Sequence, residues 1–285
     1  MTAGQRRPER RAAVLGSPIA HSLSPVLHRA AYQALGLDGW SYDRFEIDED
    51  TLPGFLGDLP EGDWAGLSLT MPLKRAVIPL LDEISETAAS VEAVNTVVFT
   101  DDGRRTGDNT DIPGMLAALR ERGVEKVDRA AVLGAGATAS SALAALSRIC
   151  TGPVTAYVRS EARAAEMRQW GERLAVEVAT ADWADAAFAF SAPLVVATTP
   201  AGTTDALAAS VPDLPGTLFD VLYEPWPTRL AAAWADRGGA VVGGLDLLVH
   251  QAVLQVERMT GHTPAPLEAM RQAGERALRG RTAEG

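Results

Sequence analysis

The chain has 285 residues, enough for two domains of ordinary size, and 47% hydrophobic against 22% charged residues exclude a disordered chain. A net charge of −11 argues against a general nucleic-acid surface, though not against a local cationic pocket for an anionic ligand. Cys150 is the single cysteine and none of the four histidines falls in an H-x-x-x-H arrangement, so neither an intrachain disulfide nor a metal site is expected.

Met1 to Arg11 reads as a basic, solvated tail. No apolar run approaches the ~18 residues of a membrane span, so the expected class is a cytoplasmic enzyme with no membrane or nucleic-acid partner. Strand-like and helix-like segments then alternate, the pattern of an α/β protein. Ala12 to Leu15 is a strand, Pro25 to Leu35 a helix stopped by Gly36, Ser41 to Ile47 a strand and Thr51 to Leu59 a helix. Leu67 to Leu69 is a short buried strand, and Val94 to Phe99 pairs with Arg104 to Thr106 across the turn Asp101-Asp102-Gly103. Asp111 to Arg122 is an amphipathic helix that links a first unit to a second. The second unit begins with the apolar strand Ala130 to Leu133, a glycine loop and the helix Ser140 to Ile149. Strand Val154 to Val158, helix Glu161 to Trp170 and strands Leu194 to Ala197 and Leu218 to Val221 follow, then helices Asp246 to Thr260 and Leu267 to Leu278.

Several polar motifs interrupt this apolar framework. Gly16-Ser17-Pro18-Ile19-Ala20-His21-Ser22-Leu23-Ser24-Pro25 places two serines after a strand, where an α/β protein sets small donors against a ligand. Ser24-Pro25 also reads as a helix start, with Ser24 as N-cap, which leaves Ser22 unexplained. Gly66 to Lys74 ends a strand at Thr70 and brings Lys74 out in the first turn of a helix opened by Pro72. A lysine is unusual at the positive end of a helix, and such an end, with partial burial, suits proton transfer. Glu92 to Thr96 sets Asn95 at the entrance to a strand, and Gly107 to Asp111 sets Asp111 before the linking helix. Each also has a local explanation, Asn95 in its own turn and Asp111 as a helix cap. The loop Gly134 to Ala139 fits G-x-G-x-x-A between a strand and a helix, the form of a dinucleotide cradle. No carboxylate ends the next strand; Val158-Arg159-Ser160 offers instead a guanidinium for a 2′-phosphate, which favours NADP. Further on, Asp220 to Pro225 carries Tyr223, and Gly243 to Gln251 carries Gly244 and Gln251.

Taken in order over residues 14 to 252, these motifs resemble the shikimate dehydrogenase family. The resemblance implies an α/β fold of two domains with the active site in the cleft between them. Residues 1–112, completed by helices of 245–285, would be the substrate domain, and 113–244 a Rossmann-like NADP-binding domain. It implies that Ser22 and Ser24 hold a carboxylate with Tyr223 near it. Thr70, Asn95 and Gln251 would bond ring hydroxyls or that carboxylate, and Lys74 and Asp111 would form the catalytic pair. Gly134, Gly136 and Ala137 would meet the pyrophosphate, Arg159 and Ser160 the adenosine 2′-phosphate, and Gly244 the nicotinamide.

The implied reaction is reversible NADPH-dependent reduction of 3-dehydroshikimate to shikimate, by a monomer or homodimer. The chain departs from the family pattern at five positions: Ser68, expected still to cap a turn, Ala137, Val158, Ala197 and Leu247. All but Ser68 fall on the cofactor side. Two alternatives follow: an NAD-dependent quinate/shikimate dehydrogenase, and a non-catalytic ligand-sensing protein on the same scaffold. Arg159 argues against the first, and retention of both Lys74 and Asp111 against the second.

Overall fold

A computed structural model describes residues 10–60 and 62–284. The chain divides into two compact units, Met1–Thr110 with Gln251–Gly285, and Asp111–His250. Asp111 and the first turns of the helix that begins at Gly244 therefore fall with the second unit.

The first unit runs β1 (Arg10–Gly16), α1 (Ser24–Ala34), β2 (Trp40–Glu46), α2 (Leu52–Gly57), β3 (Trp64–Leu69), α3 (Leu73–Ala76), β4 (Glu83–Ile84), α4 (Glu86–Val91), β5 (Thr96–Phe99) and β6 (Arg105–Asp108). Its sheet has the order β2-β1-β3-β5-β6-β4. β1 is parallel to β2 and β3, whereas β5 runs antiparallel to both β3 and β6. After Arg10 and Arg11, which were expected in the basic tail, β1 is apolar from Ala12 to Gly16 because both its faces are covered there. Ala13 and Leu15 join one core with Leu52, Trp64 and Leu67, while Ala12 and Val14 join another with Tyr32, Tyr42 and Met259. The turn from β5 to β6 closes at Gly103, whose φ of 82° suits glycine.

The second unit runs α5 (Asp111–Glu121), β7 (Ala130–Leu133), α6 (Ala137–Ile149), β8 (Val154–Val158), α7 (Glu161–Leu174), β9 (Val178–Asp182), β10 (Leu194–Ala197), β11 (Thr217–Asp220), α8 (Arg229–Asp236) and β12 (Ala240–Val242). The sheet is all parallel in the order β12-β11-β10-β7-β8-β9. Counted from its own first strand, this is the 3-2-1-4-5-6 order of doubly wound dinucleotide-binding sheets. Short 3-10 stretches at Trp183–Ser191 and Asp205–Ser210 lie in the β9–β10 and β10–β11 connections. β9, β12 and α8 have no counterpart in the sequence reading. The two strands are sheet edges in alanine- and glycine-rich sequence, where apolar periodicity has little contrast.

Two helices end the chain, α9 (Gly244–Thr260) and α10 (Leu267–Glu284), and α10 packs on α1. Gln255 of α9, 1% exposed, is the polar hub of the first unit. Its Oε1 accepts from Ser68 Oγ at 2.7 Å and faces His28 Nε2 at 3.3 Å. Its Nε2 donates to Thr96 Oγ1 at 3.0 Å and to the Asn95 carbonyl at 3.2 Å. Tyr42 donates to Ser68 Oγ at 2.6 Å and stacks on His28 with ring centroids 3.8 Å apart. Ser68 thus bridges two buried groups and does not cap a turn, a correction to its expected role.

Because Gln255 Oε1 can only accept, His28 carries its proton on Nε2 and is neutral. Complete burial pushes its pKa down to about 3 from 6.5. Between these values the unfolded chain binds the extra proton, so this contribution to stability is whole above 6.5 and is lost as pH falls toward 3. Urea midpoints measured from pH 7 to pH 4 are expected to fall. His28→Gln, which does not titrate, removes up to one proton from that dependence, or about 1.4 kcal/mol per pH unit. An unchanged slope in His28→Gln refutes this account.

Candidate active site

The ends of β1 and β3 meet at Gly16, where a Cβ would lie 2.4 Å from Thr70 Cγ2 and 2.9 Å from the Met71 carbonyl. Backbone bonds close the meeting: Thr70 N donates to Leu15 O and Ser17 N to Met71 O, each at 3.0 Å. The serine loop and the lysine loop therefore start from one point of the sheet. Since β5 runs antiparallel to β3 and β6 antiparallel to β5, the start of β5 and the end of β6 lie at that same end. Leu69 N donates to Asn95 O and Val94 N to Lys74 O, both at 2.8 Å, which ties the lysine turn to the asparagine segment.

Ser22, Ser24, Thr70, Lys74, Asn95 and Gln251 all belong to this unit. Ser22 and Ser24 are buried, Thr70 and Lys74 half-buried. The N-cap of α1 is Leu23 and no side chain caps the helix, so the expected capping role of Ser24 is not observed. Instead Ser22 Oγ accepts from Ser24 N at 3.3 Å, and the Ser24 hydroxyl is a partner of Tyr42. Arg281 of α10 donates to the His21 carbonyl at 3.0 Å and steadies the same loop. The helix carrying Lys74 is a single turn, too short for the expected helix-end field.

Asn95 has its Oδ1 filled by Thr96 Oγ1 at 2.8 Å, Thr110 N at 2.8 Å and Thr110 Oγ1 at 3.1 Å. Asn109 donates to the Ala93 carbonyl at 2.9 Å, and Thr110 Oγ1 reaches Gln251 Oε1 at 3.4 Å. Asp111 follows at once as the buried first residue of α5.

In the second unit, Gly134 and Gly136 are glycines for different reasons. Gly134 has φ 114°, and a Cβ there would lie 2.7 Å from Thr198 Oγ1, itself bonded to the Leu133 carbonyl at 3.0 Å. Gly136 has an ordinary φ of −92° as N-cap of α6, and a Cβ would meet nothing within 4 Å. Neither conformation nor protein packing requires glycine at 136, whereas close approach of a phosphate would. The Ser140 and Ser141 hydroxyls donate to the Ala137 carbonyl, so no side chain caps the α6 amides and the helix start fits a pyrophosphate.

Arg159 and Ser160 are exposed after β8, and Glu161, the next carboxylate along the chain, is paired with Arg168. Ser160 caps α7 by accepting from Arg163 N at 3.4 Å. Gly244 is demanded by packing, since a Cβ would lie 2.2 Å from the Val221 carbonyl. Tyr223 stands half-buried on a loop pinned by Asp220, which accepts from Thr228 Oγ1 at 2.7 Å and Leu222 N at 3.2 Å. Burial raises the Asp220 pKa.

Sequence reading did not single out Gln255, Tyr42 or Trp183. The four-residue spacing of Gln251 and Gln255 on one helix face was the available signal for the first. Among the described residues no helix is long and apolar enough to cross a membrane, and no group of three or more His, Cys, Asp or Glu side chains could hold a metal ion.

A doubly wound unit with a phosphate cradle, in one chain with a unit that gathers hydroxyls, carboxamides and a lysine, defines a two-domain dinucleotide-dependent oxidoreductase. Residues 14–97 match the shikimate dehydrogenase substrate binding domain, and residues 244–273 the shikimate 5′-dehydrogenase C-terminal domain. A Thermus thermophilus protein named shikimate dehydrogenase (NADP(+)) is 38% identical over 272 residues, covering 94% of this chain and 98% of that one. The crystal structure of Mycobacterium tuberculosis shikimate dehydrogenase is 41% identical, with a TM-score of 0.84 over 94% of this chain and 99% of that one. A second crystal structure, of a Thermus thermophilus shikimate 5-dehydrogenase in complex with NADP(H) and shikimate, is 34% identical with a TM-score of 0.81, over 94% and 100%. This chain belongs to the shikimate dehydrogenase family.

The two glycines give separable predictions. Gly134→Ala should destabilise the second unit by about 1–3 kcal/mol through its positive φ. Gly136→Ala should lose no more than about 1 kcal/mol of stability, as a poorer N-cap, yet weaken dinucleotide binding strongly. Thermal melts with NADP titrations check both, and normal NADP affinity in Gly136→Ala counts against the cradle.

Proposed function

We propose that this chain catalyses the reversible NADPH-dependent reduction of 3-dehydroshikimate to shikimate, a step of aromatic amino acid biosynthesis. The observation that carries the reading is the convergence of Ser22, Ser24, Thr70, Lys74 and Asn95 at one end of the first sheet, where β1 and β3 finish and β5 begins. This is a set of donors and one ammonium, suited to a small polyhydroxylated carboxylate.

Ser22 and Ser24 hold the substrate carboxylate, with Tyr223 near it. Thr70, Asn95 and Gln251 bond the ring hydroxyls or that carboxylate. Lys74 gives a proton to the ketone oxygen as it becomes an alkoxide, and takes it back in the reverse direction. Asp111 accepts from the neighbouring hydroxyl and orients Lys74. Gly134, Gly136, Ala137 and the start of α6 hold the pyrophosphate, Arg159 and Ser160 the 2′-phosphate, with Gly244 beside the nicotinamide. When bound, NADPH supplies the hydride that reduces the ketone carbon. The protein contributes orientation and charge placement around that chemistry.

Absorbance assays that cross shikimate and quinate with NADP and NAD test the assignment. Turnover mainly of shikimate with NADP is expected. Comparable quinate turnover or a preference for NAD points to the catabolic alternative, and no turnover by folded, ligand-binding protein points to a sensor. Lys74→Ala should lower kcat by about 10²–10⁴-fold, the scale of general acid–base catalysis, with modest change in shikimate KM. Near-normal kcat would remove Lys74 from the chemistry.

A further inference from the structure

Val158, the last residue of β8, pairs in register with Asp182, the last of β9, so Arg159 and Trp183 leave the sheet side by side. Trp183 opens a 3-10 stretch fixed by Asp182, whose Oδ1 accepts from Ala184 N at 2.8 Å. The Trp183 ring packs against the apolar core of the second unit, and the Arg159 guanidinium carbon lies 5.3 Å from its centroid. Two ion pairs close by in the chain form without Arg159: Glu161 with Arg168, and Arg163 with Glu166 at 2.6 Å. Among the described residues Arg159 is in no ion pair.

We infer that Trp183 is a positioning residue for the adenosine 2′-phosphate, holding the Arg159 guanidinium flat and ready before the dinucleotide arrives; this rests on the NADP reading above. An exposed arginine loses rotamer freedom when it closes on a phosphate. A ring anchored in the core removes part of that loss by holding the guanidinium plane beforehand. Stacking occupies a face of the guanidinium and leaves its N–H edge, the part that grips phosphate oxygens in pairs. Val158 offers no polar group to do the same work. Because the contact acts only through the 2′-phosphate, it changes the discrimination between NADP and NAD and leaves the rest of the dinucleotide site alone.

Calorimetric titration of the full chain with adenosine 2′,5′-bisphosphate and with adenosine 5′-monophosphate reads this without turnover. Trp183→Leu should weaken the bisphosphate about two- to fivefold, the factor an exposed cation–π contact supplies, and leave the monophosphate unchanged. Trp183→Phe, which keeps a ring, should restore most of the loss. Arg159→Ala should weaken the bisphosphate at least about tenfold, the scale of hydrogen bonds to a charged group. Wild-type affinity for both probes in Trp183→Leu, with the loss in Arg159→Ala intact, overturns the role of Trp183 alone. Equal weakening of both probes in Trp183→Leu overturns it too, as a general disturbance of the fold. Full bisphosphate affinity in Arg159→Ala overturns the arginine assignment and this inference with it. Should Trp183→Leu fail to fold, Trp183→Met with the same probes decides.

Discussion

The carboxamide of Gln255 offers four hydrogen-bonding positions, and four buried partners take them: Ser68, His28, Thr96 and the Asn95 backbone. No water is needed to complete the set, and no single member can be lost without stranding another. The hub fixes more than stability. Thr96, oriented from one side by Gln255, donates to Asn95 Oδ1 from the other, and so fixes the orientation of the Asn95 amide. On the opposite flank Ser68 and Tyr42 carry the same order toward Ser24. A neutral His28 is the condition for all of it, because a protonated ring in this dry site would lack a counter-charge.

On the proposed reading the two units would meet their ligands by different physics. In the first, side chains on four segments are brought to one sheet end by a parallel pair and two reversals of direction, and then locked by buried hydrogen bonds. In the second, the backbone would do most of the holding. Gly134 makes the turn, Gly136 keeps space open, and α6 presents its amides at the β7–β10 switch point of the sheet. The acidic net charge does not conflict with an anionic cofactor, since a local cationic site can stand on an acidic protein, and Glu161 and Asp182 beside Arg159 in chain and register are paired and capping respectively.

The sequence by itself determined the order of elements, the apolar strands β1, β7, β8 and β10, the glycine cradle and the identity of the polar motifs. These are local properties: a run of apolar residues, a turn residue, a cap or a fixed spacing. It also carried the family resemblance, which the comparisons uphold. Edge strands such as β9 and β12 were not legible, because alanine-rich segments have little contrast between buried and exposed faces. Nor could the sequence choose between Ser24 as a cap and Ser24 as a donor, or tell why 134, 136 and 244 are each glycine. Those answers depend on what lies across from each residue in space. Only the tertiary structure put Ser68, Tyr42 and His28 around Gln255, up to 227 positions apart in the chain, and Trp183 under Arg159. Hydrogen-bond partners and stacking partners at that separation are set by sheet order and register, which no local pattern encodes.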